Sequence, residues 1–292
     1  MNSQTTEKSS THSNKVVLIT GCSTGIGRAL AISLSKLGHT VFAGARKIES
    51  LDAIRDVRLL PLTLDVGKDS DIQAAVEEIT LQAGHLDILI NNAGYGAMGP
   101  LVEMPIAEIR NQFSTNVFAP IHLTQKVLPL MRKSCNAQVV NIGSSSGITP
   151  TPFSGAYCAS KSALHTLTEV MRMELRPFGI HAMAVYPGGV ASDFGSNASG
   201  RLSETLIENS LYADIALAIE SRAKLSSDSP TSTQQFADEL IATMLAPKRV
   251  AIKRIGHGST IMPLMRYLLP IRLREYLLSR SYRLTTLSGA RV

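Results

Sequence analysis

The sequence predicts a single α/β domain in which helices cover both faces of a doubly wound parallel sheet, giving three layers. Three observations support this fold class. Short apolar segments alternate with longer helix-like segments from Lys15 onward, and such spacing requires parallel strands joined by right-handed crossovers. A glycine-rich turn follows the first predicted strand and opens a helix. The chain has 292 residues, 44% of them hydrophobic, without an internal Gly/Ser/Pro-rich linker, which fits one large core.

Runs of apolar, β-branched residues mark the strands, because a strand buried on both faces of a parallel sheet is continuously hydrophobic. The predicted strands are residues 15–20, 40–44, 58–64, 87–91, 137–142, 180–186 and 249–254. Apolar residues at helical spacing, ended by Gly38 in the first case, mark the helices between them. The predicted helices are residues 26–37, 69–83, 105–133 and 156–176, and a polar, helix-rich region follows at 192–246.

The composition divides the chain into three segments. Residues 1–14 are rich in Ser, Thr and Asn and almost free of apolar side chains, so we expect a disordered N-terminal tail. Residues 15–255 form the predicted domain, which includes a substrate loop at 188–227. Residues 256–292 form a basic C-terminal extension, for which we expect cap helices packed on the domain.

The net charge of +6 is concentrated at the C-terminal end. Residues 248–292 hold ten Lys/Arg and one acid, a balance of +9, while the first 247 residues hold 19 basic and 22 acidic groups, a balance of −3. Such a basic segment serves as a solvated surface, or it attracts anionic lipid headgroups or a phosphorylated or acidic substrate. Nucleic acid is not expected as a partner, because no aromatic-rich binding motif accompanies the charge.

The same features predict a cytoplasmic protein. The three cysteines, Cys22, Cys135 and Cys158, lack the spacing of a disulfide framework or a zinc site, so no metal is expected. No signal-peptide pattern follows the start, and no apolar run is long enough to span a bilayer. Peripheral contact with an intracellular membrane or lipid droplet, through the basic C-terminus, is left open beside this prediction.

The turn after the first strand has the composition of a phosphate-binding loop. It reads Thr20-Gly-Cys-Ser-Thr-Gly-Ile-Gly27, with the sequence Gly-x-x-x-Gly-x-Gly. Glycines permit a tight turn and a close approach of backbone to ligand, and the N-terminus of the following helix offers free N–H groups to a pyrophosphate. The predicted cofactor contacts in this turn are Gly21, Ser23, Gly25, Ile26 and Gly27. A purely structural glycine turn is the alternative.

The end of the second strand predicts NADP(H) rather than NAD(H). An acid at this point would bond the ribose 2′-hydroxyl of NAD and repel a 2′-phosphate. The sequence here is Gly44-Ala-Arg-Lys47, so Ala45 stands where the acid is expected. Arg46 can pair with a phosphate in bidentate fashion. The alternative is an ordinary surface arginine.

Tyr157 and Lys161, in Tyr157-Cys-Ala-Ser-Lys161, are the candidates for the reaction centre. Residues four apart share one face of a helix, so the ammonium can lie near the phenol. A free tyrosine has a pKa of about 10 and is a poor base at neutral pH. A nearby positive charge favours the phenolate, which would suit Tyr157 as general acid in carbonyl reduction or as base in alcohol oxidation.

These motifs, in this order, resemble the classical short-chain dehydrogenase/reductase family over residues 15–255. The resemblance implies a Rossmann-type fold, nicotinamide chemistry and a catalytic tetrad of Asn116, Ser144, Tyr157 and Lys161. Ser144 follows the fifth strand and is implied to orient the substrate carbonyl, and Asn116 to support a proton relay from the lysine to solvent. A Ser-rich loop without catalytic role and a structural helix asparagine are the alternatives.

The resemblance also assigns cofactor contacts to the segments that follow the strands. Lys161 is implied to hold the nicotinamide ribose. The further contacts are Asp65 and Val66 at the adenine, Asn92, Ala93 and Gly94 at the ribose, and Pro187, Gly188, Val190 and Ser192 at the nicotinamide. Ser192 replaces the threonine that is usual in the family, and it keeps the hydroxyl.

The predicted substrate is a lipophilic carbonyl or alcohol compound. The candidate lining residues, in addition to Ser144, are Tyr95, Met98, Phe153 and Phe194, and they are largely apolar. The C-terminal residues 261–278 mix apolar side chains with arginine, and they form either a cap helix or a helix lying at a membrane surface. With two shorter segments they look like the fungal NADPH-dependent 1-acyldihydroxyacetone-phosphate reductases, and also like 17β-hydroxysteroid dehydrogenase-like enzymes.

The sequence therefore predicts an NADPH-dependent reductase of lipid, steroid-like or secondary-metabolite carbonyls. Oxidation of the alcohol in the reverse direction and a non-catalytic, NADPH-binding regulatory protein are the competing hypotheses. The resemblance further implies a homo-oligomer.

Overall fold

The computed structural model describes residues 14–191, 210–219 and 230–287. Its centre is a parallel sheet of seven strands in the order β3-β2-β1-β4-β5-β6-β7. The strands are β1 Val16–Thr20, β2 Thr40–Ala45, β3 Leu59–Thr63, β4 Ile88–Asn91, β5 Gln138–Ile142, β6 His181–Pro187 and β7 Ile252–Ile255. The predicted fold class, a doubly wound parallel sheet in one domain, is confirmed.

Helices connect the strands and cover the sheet. They are α1 Gly25–Lys36, α2 Asp69–Gln82, α3 Ile106–Phe113, α4 Ala119–Met131, α5 Gly155–Leu175, α6 Thr233–Leu245, α7 Ile261–Leu268 and α8 Ile271–Ser281. Most predicted boundaries lie within one or two residues of those observed. The last strand differs more, because the prediction of 249–254 begins three residues before Ile252.

Alternating side chains of each central strand feed two hydrophobic cores, one on each face of the sheet. Val17 and Ile19 of β1 belong to a core that includes side chains of α1 and α6, and Leu18 belongs to the opposite core, with side chains of α2 and α4. Burial on both faces explains why these strands have no polar alternation in the sequence.

The predicted long helical stretch 105–133 is confirmed over residues 106–131, but it contains a π-helical turn that was not predicted. Helix α3 ends at Phe113, a π-helical turn spans Ser114–Phe118, and α4 begins at Ala119. The wider turn carries Asn116, whose side-chain amide bonds both backbone polar groups of Tyr95. Single π-helical turns inside α-helices are frequent at functional sites, and apolar periodicity does not reveal them.

The sheet order places a crevice beside β1. The chain runs outward from β1 to β3 and then returns to place β4 on the other side of β1. In open parallel sheets, ligands bind outside the carboxyl ends of the strands at such a reversal. The segments after β1 and β4 meet at this point, and those after β5 and β6 follow along the same edge.

Candidate active site

The glycine turn after β1 has the backbone geometry of an anion-binding loop. Gly21 has a φ of +72°, which only glycine adopts readily. A Cβ atom on Gly27 would lie 2.3 Å from the carbonyl oxygen of Gly21 and 2.5 Å from Nδ2 of Asn92. The turn is therefore closed so tightly that no side chain fits at Gly27.

The N-terminus of α1 is suited to a pyrophosphate group. Thr24 at the N-cap makes no side-chain capping bond, and the first turn carries no acidic residue. The first N–H groups of a helix have no partner within the helix, and the helix dipole places positive potential there. The predicted contacts Ser23, Gly25 and Ile26 all lie in this segment, so the residues present fit a dinucleotide.

The segment after β4 is fastened to the glycine turn. The amide nitrogen Nδ2 of Asn92 donates to the carbonyl oxygens of Thr20, at 2.9 Å, and Gly21, at 3.1 Å. The hydroxyl of Thr20 accepts from the backbone N–H groups of Asn92 and Ala93, at 3.0 and 2.9 Å. Gly94 follows directly, and a Cβ there would lie 3.0 Å from Oδ1 of Asn116. The side chain of Asn92 thus holds the loop in shape.

The end of β2 carries a positive charge beside the glycine turn. Ala45 is buried and Arg46 is exposed. The guanidinium of Arg28 donates to the carbonyl oxygens of Ser23, at 3.3 Å, and Ser50, at 3.0 Å. Arg28 therefore ties the glycine turn to the segment that follows Arg46, which brings the predicted phosphate-binding residues into one region.

Hydrogen bonds from backbone N–H groups order two further segments that are predicted to contact the cofactor. Oδ1 of Asp65 accepts from the N–H of Gly67 at 3.0 Å, and the half-buried Val66 packs against the core. After β6, the N–H of Gly188 donates to the carbonyl oxygen of Ile255 at 2.8 Å. Pro187 ends the strand and Val190 is buried. Of the remaining predictions, Ser192 and Phe194 lie outside the described residues.

Tyr157 and Lys161 lie on one face of α5, and both are buried. Nζ of Lys161 donates to the carbonyl oxygen of Ile142, the last residue of β5, at 2.7 Å. Burial lowers the pKa of Lys161 to about 8, so the ammonium still predominates at neutral pH. The strand end and the helix thereby hold the positive charge at the carboxyl edge of the sheet.

Ser144 stands two residues beyond β5. Its Oγ accepts a hydrogen bond from the N–H of Ser146 at 3.1 Å and caps a short 3-10 turn at Ser145–Gly147. A hydroxyl that accepts this bond can still donate its own hydrogen. Ser144 is buried, whereas the neighbouring Ser145 and Ser146 are only partly buried, which favours Ser144 within the serine run.

Asn116 is fully buried in the π-helical turn. Its Nδ2 donates to the carbonyl oxygen of Tyr95 at 2.9 Å and to Oγ of Ser160 at 3.1 Å, and its Oδ1 accepts from the N–H of Tyr95. Because Ser160 immediately precedes Lys161, the asparagine joins the segment after β4 to the part of α5 that carries Lys161. The side chain of Asn116 thus has the structural role that the alternative interpretation gives it. Its part in a proton relay, which the resemblance implies, stays a prediction.

His165 lies one turn after Lys161 on α5. Its Nε2 accepts a hydrogen bond from the N–H of Ser144 at 3.2 Å, and its ring lies on that of Tyr186, with centroids 3.9 Å apart. Burial and the charge of Lys161 lower the pKa of His165 to about 3. The neutral imidazole therefore packs on Tyr186 and also contacts the backbone of Ser144.

Tyr157 belongs to a cluster of buried apolar and aromatic side chains. The buried members are Met98, Phe153, Tyr157, Ile215, Ile219 and Tyr282. Phe153 has a φ of 61°, and its ring makes edge-to-face contacts with Tyr212 and Tyr282, at centroid distances of 5.8 and 6.2 Å. Two predicted substrate residues, Met98 and Phe153, thus lie in one cluster with Tyr157.

The cluster around Tyr157 differs from the predicted substrate residues at two tyrosines, Tyr95 and Tyr282. Tyr95 packs in a separate buried group with Ala97, Met104 and Ala156, so it does not join the cluster around Tyr157. Tyr282 does join it, although it lies well over 100 residues away in sequence. The sequence signal for Tyr282 is its position four residues after Leu278, which packs against the same cluster, just beyond the end of α8.

The arrangement combines a glycine turn suited to an anion with a buried Tyr–Lys pair at one edge of a parallel sheet. The model of the family described as short chain dehydrogenase matches residues 15–201. A 3-ketodihydrosphingosine reductase from Bacteroides thetaiotaomicron is 37% identical over 200 residues, which cover 68% of this chain and 72% of that protein.

Solved structures agree. A short-chain dehydrogenase from Streptomyces avermitilis has a TM-score of 0.76 at 27% identity, covering 96% of this chain and 100% of the other. A metagenomic short-chain oxidoreductase in complex with NADP has a TM-score of 0.65 at 25% identity, covering 82% and 96%. The chain therefore belongs to the short-chain dehydrogenase/reductase family and is an oxidoreductase of that family.

Proposed function

We propose that the protein is an NADP(H)-dependent reductase that converts the carbonyl group of a lipophilic small molecule into an alcohol. The observation that carries this proposal is the placement of Tyr157. Its phenol shares a helix face with the buried ammonium of Lys161 and belongs to an apolar cluster with Met98 and Phe153. A proton donor is thereby set against a surface that suits an apolar substrate.

Each polar side chain has a separate task in the proposed reaction. Bound NADPH supplies the hydride. Tyr157 donates the proton to the carbonyl oxygen, and the Ser144 hydroxyl donates a hydrogen bond to the same oxygen, stabilising the charge that develops on it. Lys161 keeps a positive charge near the phenol, which favours proton release from Tyr157. Asn116 belongs to the relay that returns a proton from solvent.

The cofactor contacts in this proposal follow the strand ends. Gly21, Ser23, Gly25, Ile26 and Gly27 receive the pyrophosphate. Asp65 and Val66 receive the adenine, Asn92, Ala93, Gly94 and Lys161 the ribose groups, and Pro187, Gly188, Val190 and Ser192 the nicotinamide. Arg46 pairs with the 2′-phosphate, because the end of β2 offers a guanidinium and no acid. The NADP complex of the metagenomic relative supports this choice.

A lipophilic substrate is favoured by two observations. The cluster around Tyr157 is built from apolar and aromatic side chains. The relative from Bacteroides thetaiotaomicron is named for a keto group on a sphingolipid precursor, which is a carbonyl on a long-chain lipid. Lipid and secondary-metabolite ketones are therefore the classes to test first.

The proposal also covers the setting in which the enzyme works. We place it in the cytoplasm as a homo-oligomer, in peripheral contact with an intracellular membrane or lipid droplet through its basic C-terminal helices. Exposed apolar side chains near and on the long helices, Phe118 and Met173 among them, suit a subunit contact. A membrane location brings the enzyme to a substrate that partitions into lipid.

The test is a panel of lipophilic ketones and aldehydes, with NADPH and NADH consumption recorded for each. We expect turnover with NADPH, and a Tyr157→Phe variant that binds NADPH normally but reduces the best substrate at least about a hundredfold more slowly. Full turnover by Tyr157→Phe would refute the proton-donor role. NADPH binding without turnover of any carbonyl, or of the matching alcohols with NADP⁺, would favour a regulatory protein instead.

A further inference from the structure

The outer faces of the two C-terminal helices carry an unusual density of exposed large apolar side chains. We call this set the C-terminal surface. It consists of Ile261, Leu264, Tyr267 and Leu268 on α7, Ile271 and Leu273 at the start of α8, and Tyr276 and Leu277 further along α8. Single exposed apolar residues are ordinary, whereas a contiguous group marks an interaction site.

The spacing of these residues shows that each helix has one outward apolar face. Ile261, Leu264 and Leu268 follow at i, i+3 and i+7 on α7, and Leu273, Tyr276 and Leu277 follow at i, i+3 and i+4 on α8. Residues at these intervals lie on the same side of a helix. The apolar groups are thus concentrated in stripes on the two helices.

The inner side of α7 and the residue that follows α8 are fastened to the domain. Pro263 is buried, Oγ1 of Thr149 donates to the carbonyl oxygen of Met262 at 2.8 Å, and the guanidinium of Arg266 donates to that of Ile148. At the other end, Tyr282 is buried against Phe153. The helices are therefore packed on the domain, and it is their outward stripes that need a partner.

Charge identifies the partner. Among residues 261–287 there are five arginines and one acid, Glu275, a net charge of +4. A second copy of this chain would bring an equal positive charge to the contact, whereas an anionic lipid surface attracts it. Arg280 lies four residues after Tyr276, on the same helix face, where its long stem can extend to lipid headgroups.

The helices are suited to lying on a membrane. Among the residues that the structure describes, no helix is long and apolar enough to cross a bilayer. Helices α7 and α8 span only 8 and 11 residues. Short amphipathic helices with arginine beside apolar stripes bind in the plane of the interface.

We propose that the C-terminal surface docks the enzyme on membranes that contain anionic phospholipid. This inference deepens the membrane contact of the proposed function, and it rests on the proposed reductase activity only for what docking achieves. Six residues separate Tyr276 in the surface from Tyr282 in the cluster around Tyr157, about 9 Å along a helix axis. A docked enzyme thus presents the apolar side of its reaction centre close to the lipid in which its substrate dissolves.

The experiment is co-sedimentation of the full chain with vesicles of phosphatidylcholine alone and of phosphatidylcholine with phosphatidylserine. We expect binding only to the anionic vesicles, weakened by high salt. Arg272→Gln with Arg280→Gln should weaken binding about tenfold or more, since each basic residue near such a surface contributes about 1 kcal/mol. Leu264→Glu and Tyr276→Glu, each made singly, should abolish it. Leu81→Glu, at an exposed apolar position on α2, is the control.

Several outcomes would overturn the proposal. These are no binding of the wild type to anionic vesicles, unchanged binding by the C-terminal variants, or equal loss in the Leu81 control. A change of oligomeric state in Leu264→Glu, seen by sedimentation velocity, would assign the surface to a second copy instead. The vesicle assay needs neither cofactor nor substrate. Failure of the proposed reductase activity would leave it untouched, and variants defective in docking should keep wild-type turnover of a water-soluble carbonyl without lipid.

Discussion

The backbone N–H of Ser144 donates a hydrogen bond to Nε2 of His165 at 3.2 Å. For Nε2 to accept, the ring must be neutral with its proton on Nδ1, in keeping with the pKa of about 3 that burial and the charge of Lys161 give it. Gly143 and Gly147, on either side of Ser144, leave room for the imidazole ring of His165 because they have no side chain. A Cβ on Gly143 would lie 2.2 Å from Nε2, and one on Gly147 would lie 2.5 Å from Cε1.

This contact makes His165 a positioning residue for Ser144. We expect His165→Leu to lower kcat about tenfold or more, because it leaves a buried N–H without its acceptor, at a cost of about 1–3 kcal/mol. The Km for NADPH should change little, and His165→Gln, which restores an acceptor, should recover part of the loss. Steady-state kinetics on the three proteins provide the test. Equal kcat in wild type and His165→Leu would show that the bond serves stability alone.

The same histidine predicts a pH dependence of stability. Its pKa in the folded protein, about 3, lies below the value of 6.5 for an unperturbed histidine, so the unfolded chain binds more protons between these values. Stability from this residue is complete above pH 6.5 and declines as the pH falls, at up to about 1.4 kcal/mol per pH unit. Urea unfolding of wild type and His165→Gln at several mildly acidic pH values should give converging free energies of unfolding. Parallel curves would contradict the assignment.

Lys161 gives a pH dependence of the same sign at alkaline pH. Its pKa falls from 10.5 to about 8 on folding, so the unfolded chain binds more protons between these values and stability rises with pH. Relative to Lys161→Met, the wild type should gain up to about 3 kcal/mol between about pH 8 and pH 10.5. Lys253→Met, at a partly exposed surface ion pair, is the control. A free-energy difference independent of pH would show that the ammonium is not desolvated as described.

The cofactor proposal predicts a selective effect at Arg46. We expect Arg46→Ala to weaken NADPH binding about ten- to a hundredfold, because a charge-assisted hydrogen bond to the 2′-phosphate is worth about 1.5–3 kcal/mol. NADH binding should be unchanged, since NADH has no such phosphate. Cofactor fluorescence titration measures both, with the exposed Arg55, changed to alanine, as control. Equal losses for the two cofactors would remove Arg46 from the 2′-phosphate.

What the sequence could predict was set by the range of each interaction. The glycine turn and the spacing of Tyr157 and Lys161 are local, so strand, turn and helix periodicities predict where they lie in the fold, whereas the choice of this pair as the reaction centre depends on the family resemblance. The π-helical turn at Asn116 depends on bonds to Tyr95 and Ser160, which lie 21 and 44 residues away in sequence. Tyr282 reaches the cluster around Tyr157 because the chain folds back over the domain through α7 and α8. Such contacts follow from tertiary packing, which apolar periodicity does not encode.

Tyr282 allows a test of how the C-terminal helices shape the substrate site. Its ring is 6% exposed and makes an edge-to-face contact with Phe153 in the cluster around Tyr157, an arrangement worth about 0.5–1.5 kcal/mol beyond burial.

We expect Tyr282→Ala to raise the Km of the best small ketone about tenfold and to improve the relative turnover of bulkier ketones, because a wall of the cluster is removed. Tyr276→Ala, at a 46% exposed tyrosine on α8, should leave both values at wild-type levels in lipid-free solution. The ratio of kcat/Km values across a ketone series measures the effect, and circular dichroism checks that both variants are folded. If the two variants behave alike, Tyr282 is a structural anchor of α8, and the substrate is bound by residues on the β-sheet side of the cluster.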